Sequence, residues 1–305
     1  MLRYLKNSEI DKQKWNQCIS NSPNGLIYAE AGYLDSLADH WDALVKNDYE
    51  AVMPLVWRSK FGIRYLYQPA FVQQGGIFSL TPISKAIIIE FINIASQHFK
   101  FAEIALNFAS ADVNLTYQCS LRNNFLLSLE KSYEHIFNNY KPYIKERLQR
   151  LQKFNLEYAA TDDVDKAIEI YKSTYEKRIQ KTTSNTYEQF KKRCNHYLQN
   201  ERAIVREVRE QSTKELLAIV LLLKDKNRIY NLASSITENG KKKLANYFLY
   251  DRIFQEFSEQ GLCFDFEGSD IPGVAYFYEK FADTNQVYPF IKWNNLPVMI
   301  KIFKR

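Results

Sequence analysis

The sequence predicts an α/β protein built as two tandem units on mixed sheets. Three observations carry that reading. In the second half, strand-like and helix-like segments follow the order β-β-β-α-β-α-β, and a looser copy of that order occupies the first half. The 305 residues are long for one core, and 21 Tyr and 20 Phe supply apolar mass for two.

In chain order, YEAVMPLVWRSK (49–60) reads as a strand that pairs across a KFG turn with IRYLYQPAF (63–71). A helix follows over 83–99, and FAEIALNF (101–108) is the strand after it. YEHIFNNYKPYIKERLQRLQKF (133–154) is helical and basic on one side, and two more helices fall at about 163–180 and 186–199. RAIVREVRE (202–210), ELLAIVLLLKD (215–225) and RIYNLASSI (228–236) form an antiparallel meander across QSTK and KN turns. Leu244, Tyr247, Phe248, Ile253, Phe254 and Phe257 then recur at helical spacing until Gly261 stops the helix. The strand LCFDFEG, a helix over Pro272–Phe281 and a last strand in QVYPFIKW (286–293) close the second unit. The expected boundary separates a domain over residues 1–135 from one over 136–305, the latter beginning with the basic connecting helix.

The bulk properties exclude several classes. A net charge of +6 is modest for this length and does not predict nucleic-acid binding, although it permits an anionic ligand. Cys18, Cys119, Cys194 and Cys263 form no CxxC pair and lie beside no histidine at metal-ligand spacing, so a metal is not expected and a reduced, cytoplasmic protein is. No apolar run approaches the roughly 18 residues of a membrane span. His40, His98, His135 and His196 are solitary and are read as non-catalytic.

FDFEGSDIPG (264–273) is the segment richest in chemistry. Phe264 and Phe266 alternate with Asp265 as in a strand with one buried face, Gly268 permits a sharp exit, and Ser269 or Asp270 can cap a helix whose first turn accepts Pro272. Such elbows sit at the carboxyl edge of a sheet, where α/β proteins tend to place ligands.

Together, LYQPAFVQQGGIF (66–78), KERLQRLQK (145–153) and FDFEGSDIPGVAYFYEKFA (264–282), set in the duplicated strand order, resemble the Fem-type aminoacyl transferases with their paired GNAT-like domains. The resemblance covers nearly the whole chain. It implies two tandem GNAT-like domains and transfer of an acyl or aminoacyl group to an amine, with acyl-coenzyme A or aminoacyl-tRNA as donor. The acceptor it implies is a small-molecule amine or a cell-envelope precursor. In that fold a splay between the fourth and fifth strands admits the donor, and amides at the next helix start hold its pyrophosphate. Here that start is ITENGKKKLAN (236–246), which departs from the usual glycine pattern by keeping only Gly240.

Asn239, Gly240, Lys241, Lys242 and Lys243 are accordingly the candidate donor-phosphate residues, because a helix N-terminus attracts anions and a bound phosphate offsets the dipole penalty on the lysines. The alternative is a solvated turn. Glu267 is the candidate base for the acceptor amine, with Asp265 as a like-charged neighbour that raises its pKa; equally, both carboxylates bond backbone amides around the tight turn or pair with a lysine. Tyr276 is the candidate acid, the resemblance placing a tyrosine on this helix that protonates the departing thiolate; Tyr278 is the other choice, and plain packing the third. Gln68, Gln73, Gln74 and Ser269 are candidate contacts to a polar acceptor, or the glutamines satisfy loop backbone. A catalytically inactive binding module that kept the fold is the rival from another class. With tRNA as donor, Lys141, Lys145, Arg147, Arg150 and Lys153 would meet its phosphates.

Overall fold

The structure is a computed structural model and describes residues 1–113, 116–175, 182–268 and 272–297. Backbone contacts divide the chain into two compact units, Met1–Asn123 with Val287–Arg305, and Asn124–Gln286.

The first unit opens with strand β1 (Leu2–Leu5) and helices α1 (Lys12–Asn21) and α2 (Ala31–Leu37). Strands β2 (His40–Lys46), β3 (Ala51–Lys60), β4 (Ile63–Tyr67) and the short β5 (Phe78–Ser79) follow, then α3 (Lys85–His98), β6 (Phe101–Ala105) and β7 (Gln118–Arg122). The second unit holds β8 (Phe125–Ser128), α4 (Tyr133–Asn139), α5 (Pro142–Leu151), β9 (Leu156–Thr161), α6 (Val164–Tyr175) and α7 (Ser184–Gln199). Its meander is β10 (Ala203–Glu210), β11 (Leu216–Lys224) and β12 (Arg228–Ile236), followed by α8 (Glu238–Lys242), α9 (Ala245–Phe257), β13 (Cys263–Asp265), α10 (Pro272–Phe281) and β14 (Thr284–Asn285). A last strand, β15 (Tyr288–Asn294), belongs to the first unit.

The two sheets have the same plan. The first runs β1-β2-β3-β4-β6-β15-β7, with β5 beside β3, and the second runs β9-β10-β11-β12-β13-β8-β14. In both, the fourth and fifth strands of the order are parallel and every other neighbouring pair along it is antiparallel. One helix packs on each sheet at the expected place. In α3, Ile88, Phe91, Ile92 and Ala95 are buried at helical spacing in the first core; in α9, Leu249, Tyr250, Ile253, Phe254 and Phe257 join Phe264 and Phe266 in the second. Each fully buried side chain of this size contributes roughly 1.5–3 kcal/mol.

The structure departs from the sequence reading in where strands go. The last strand, expected to close the second unit, lies instead between β6 and β7 of the first sheet, where Ile291 and Trp293 are buried and the Trp293 indole donates to the Phe99 carbonyl at 2.8 Å. Conversely β8, from the half expected to be the first domain, sits between β13 and β14 of the second sheet. The division therefore falls at 123/124 and again at 286/287, not at 135/136. Strands β1 and β2 were not foreseen. The strand read into LCFDFEG stops at Asp265, and it has no exposed face: Phe264, Asp265 and Phe266 are all fully buried.

Among the described residues, no helix is long and apolar enough to cross a membrane.

Candidate functional site

Two neighbouring strands of the second sheet separate to open the site. β12 and β13 pair in parallel only over Arg228–Tyr230 and Cys263–Asp265, yet β12 continues to Ile236. A bulge assists: the pairing of β12 with β11 slips between Leu221 and Leu222, so that Leu232 is skipped and the strand beyond it turns. The edge from Ser234 to Ile236 thus faces a cavity of about 330 Å³, with Asn231 buried just behind it. Ser234, Ser235 and Ile236 line it from the strand, Lys241, Asn246, Tyr247 and Tyr250 from α8 and α9, and Gly273, Tyr276, Phe277, Tyr278 and Lys280 from α10.

Its floor is polar and ordered. The Asn231 amide donates to the hydroxyls of Tyr250 at 2.9 Å and Tyr278 at 3.1 Å, and the Tyr250 hydroxyl meets Ser234 Oγ at 3.1 Å. Burial pushes the Tyr250 phenol up to about 12 and that of Tyr278 well above the ordinary value, so both hydroxyls keep their protons near neutrality. Asn231 Oδ1 and Ser235 Oγ are buried without a hydrogen-bond partner. Unsatisfied acceptors and hydroxyls beside a void suit a polar ligand, since leaving each unpaired costs about 1–3 kcal/mol.

The mouth is cationic and aromatic. Lys280 Nζ lies 4.0 Å from the Tyr276 ring centroid, Tyr143 and Tyr247 exchange a hydroxyl contact at 3.2 Å, and the Arg147 guanidinium stands 4.7 Å from the Tyr143 ring. The hydrogen bond from Tyr247, with the Arg147 charge behind it, lowers the Tyr143 pKa.

Of the expected donor-phosphate residues, only Lys241 lines the cavity. The others are occupied locally. Gly240 N–H donates to the Thr237 hydroxyl at 3.0 Å as the α8 cap, and the Asn239 amide donates to Glu215 at 2.7 Å. Lys243 pairs with Glu210, Lys241 with Glu238, and Lys242 is exposed. Gly240 is needed for packing: a Cβ there would fall 2.1 Å from the Leu217 carbonyl oxygen. The longer helix α9 begins instead at Ala245, behind Leu244 in the left-handed region (φ 57°), and has no side-chain cap. Its first turn carries Asn246 onto the cavity.

The elbow residues divide. Asp265 is fully buried and ion-paired with Arg228 at 2.8 Å; it also accepts from the Asn124 amide at 3.2 Å and from the Glu267 N–H at 2.9 Å. Arg228 reaches on to Gln286 at 2.8 Å. Asp265 therefore braces the turn. The turn itself needs bracing, because Glu267 and Gly268 both have positive φ, at 66° and 56°. Glu267 is half-buried by accessible surface, and burial raises its carboxyl well above the usual carboxylate range, with no contribution from Asp265. The expectation that the Asp265 charge does this is corrected. Glu267 follows Phe266, whose ring stacks 5.0 Å from Tyr278, but Glu267 is not itself among the cavity-lining residues. Tyr276 does line the cavity and is 54% exposed. Ser269 and Asp270 lie outside the described residues.

In the first unit the corresponding gap is filled. Gln68 donates to the Val72 carbonyl at 2.6 Å and accepts from Ala105 N–H at 2.9 Å; Gln74 accepts from Phe108 N–H at 3.0 Å and donates to Gln73 at 2.8 Å. Gly75 bridges in parallel to Leu106, and Gly76 (φ 81°) approaches so closely that a Cβ would meet Leu106 Cα at 3.0 Å. Only about 20 Å³ of space remains there. Gln68 and Gln74 bond backbone groups here, and Gln73 accepts from the Gln74 amide. Sequence reasoning missed Asn231, Ser234, Ser235 and Tyr250, although the polar Asn231, Ser234 and Ser235 late in the strand RIYNLASSI were a usable signal.

Residues 140–278 match the acetyltransferase (GNAT) domain family. The fold is similar to the crystal structure of FemX, with a TM-score of 0.69 at 12% identity over 99% of this chain and 100% of that one. It is also similar to the C-terminal domain of a proposed lysylphosphatidylglycerol synthetase from Agrobacterium fabrum (TM-score 0.56, 10% identity, 97% and 95% coverage). A tandem GNAT protein from the clavulanic acid biosynthesis pathway gives 0.52 at 10% identity over 97% and 99% of the two chains. No curated protein matches the chain. With two like-ordered mixed sheets and an acetyltransferase-domain match over residues 140–278, the chain has the tandem GNAT-like fold, similar in arrangement to FemX.

Proposed function

We propose that the second unit transfers an acyl or aminoacyl group from a thioester or ester donor to an amine, with the donor seated along the open edge of β12. The observation that carries this reading is the void of about 330 Å³ beside the part of β12 that runs past its pairing with β13, lined by hydroxyls and rimmed by cations. The donor's phosphates are assigned to the uncapped start of α9, with Lys241 and Lys280 beside it, since free N–H groups and the helix dipole favour anions there.

Catalysis would rest mainly on holding carbonyl and amine together in a site that excludes water. The amine nitrogen forms a bond to the donor carbonyl carbon, and the bond from that carbon to sulfur or oxygen breaks. Glu267, with its raised pKa, takes the proton from the amine, and Tyr276 at the cavity gives one to the leaving group. Asp265 positions Glu267 through its N–H. The acceptor is an amine on a small molecule or an envelope precursor, in keeping with the Fem-like fold.

A thermal-shift panel of acyl-coenzyme A compounds and aminoacyl-tRNAs tests the donor, since a ligand at about 100 times its dissociation constant adds roughly 2.7 kcal/mol. With a working donor, Glu267→Gln should lower turnover about 100- to 10,000-fold. A Glu267→Gln protein with unchanged transfer would reduce Glu267 to a turn residue. One observation favours the second reading, an inactive binding module: the expected phosphate loop is satisfied internally, through Thr237, Glu215 and Glu210. Absence of binding by every donor would decide for it.

A further inference from the structure

The hairpin joining β3 and β4 in the first unit ends in the two-residue loop Phe61-Gly62, closed by the Lys60–Ile63 pair. Both loop residues have positive φ, 52° and 75°, the geometry of a type I′ turn. Asn, Asp or Gly suits its first position; a phenylalanine there is sterically unfavourable. Folding gains nothing in return, because Phe61 is 90% exposed, the most exposed of the large apolar side chains described.

The surroundings supply the charge. Lys60 Nζ lies 5.5 Å from the Phe61 ring, and Arg64, two residues past the loop, is exposed over Trp57 at 5.3 Å. Lys100, at the start of the parallel neighbour β6, reaches the same end of the sheet and is exposed. No ion pair with a described residue engages Lys60, Arg64 or Lys100. Arg58, by contrast, is neutralised by Asp39. The tip thus combines one apolar wedge with three uncompensated cations.

We infer that the Phe61 hairpin is a docking tip for the surface of an anionic lipid bilayer, the ring entering the headgroup boundary while Lys60, Arg64 and Lys100 face lipid phosphates. An apolar side chain flanked by cations matches both layers of such an interface, and each basic residue near the surface contributes about fivefold in affinity. A small polar ligand would not require the wedge.

The test is flotation of the full chain with phosphatidylcholine vesicles, with and without 30% phosphatidylglycerol, for wild type, Phe61→Asn and Lys60→Gln/Arg64→Gln. Expected is binding to the anionic vesicles that weakens with salt and is at least tenfold weaker on phosphatidylcholine alone. Phe61→Asn should lower it about tenfold while keeping or raising Tm, since asparagine suits the turn; the double variant should lower it more. Equal binding to both vesicle types, no binding, or full binding by Phe61→Asn would overturn the inference. So would concentration-dependent dimerisation abolished by Phe61→Asn, which assigns the tip to a second copy of the chain. None of these readouts depends on acyl transfer.

Discussion

The first and second sheets share strand order and polarity but treat the gap between their fourth and fifth strands oppositely. In the first, β4 ends at Tyr67 and the following loop folds into the gap, with Gln68, Gln74 and Gly75 bonding along β6. In the second, β12 runs six residues past its last pairing with β13; Tyr250 and Tyr278 meet it at Asn231, and the edge at 234–236 borders a cavity. The comparison teaches that the strand plan alone does not make a site. One unit has used the splay for packing, and the other has kept it as a cavity with unsatisfied polar atoms at its edge.

The fifth strands sharpen the contrast most. Asp265 on β13 is a fully buried partner of Arg228, whereas Glu103 on β6 pairs with Lys292 at the surface. Asp265→Ala should lower stability by about 3–5 kcal/mol, because it strands a buried guanidinium. Glu103→Ala should cost no more than about 1 kcal/mol. Parallel denaturant titrations compare them, and equal losses would show the elbow to be no more constrained than the surface.

A smaller effect is expected at the glycines. Gly240→Ala meets the Leu217 carbonyl and should destabilise by about 1–3 kcal/mol. Gly273→Ala, where a Cβ meets nothing within 4 Å, should be neutral or slightly stabilising by chemical denaturation.

The smallest effect is the pH dependence of Glu267. Its folded pKa is raised by burial above the unfolded value near 4.3, so the folded state holds the proton more tightly. Stability from this group is complete below about pH 4.3 and is lost as pH rises through the folded pKa. Glu267→Gln should therefore match wild type below about pH 4.3 and exceed it as pH rises through the folded pKa. A constant difference across pH would mean that Glu267 titrates normally.

How much of this could be read from the sequence depends on what each residue pattern encodes. Helical spacing in α9, and apolar runs closed by turn residues in β3, β4 and the β10–β12 meander, mark those elements, because such patterns record burial and chain reversal. It does not record the partner. YPFIKWN reads as a strand and FLLS does not, and nothing local says that each completes the sheet of the other half of the chain. The same limit hid the site. Glu267 and Tyr276 stood out as chemistry on an elbow and a helix, while Asn231, Ser234 and Ser235 acquire meaning only once β13 is seen to leave them uncovered. The lysines at 241–243 misled because helical character was assigned to one helix, whereas Leu244 breaks it in two and moves the uncapped terminus to Ala245.

The central claim is that one donor binds per chain, in the gap of the second unit. The most direct measurement is calorimetric titration with acetyl-coenzyme A, and in parallel with an aminoacyl-tRNA, of wild type and Gly273→Phe, whose added ring enters open space at the cavity wall. The account predicts one site per wild-type chain for the working donor, and loss of that site in Gly273→Phe with Tm unchanged. Two sites per chain, or undiminished binding by Gly273→Phe, would contradict it.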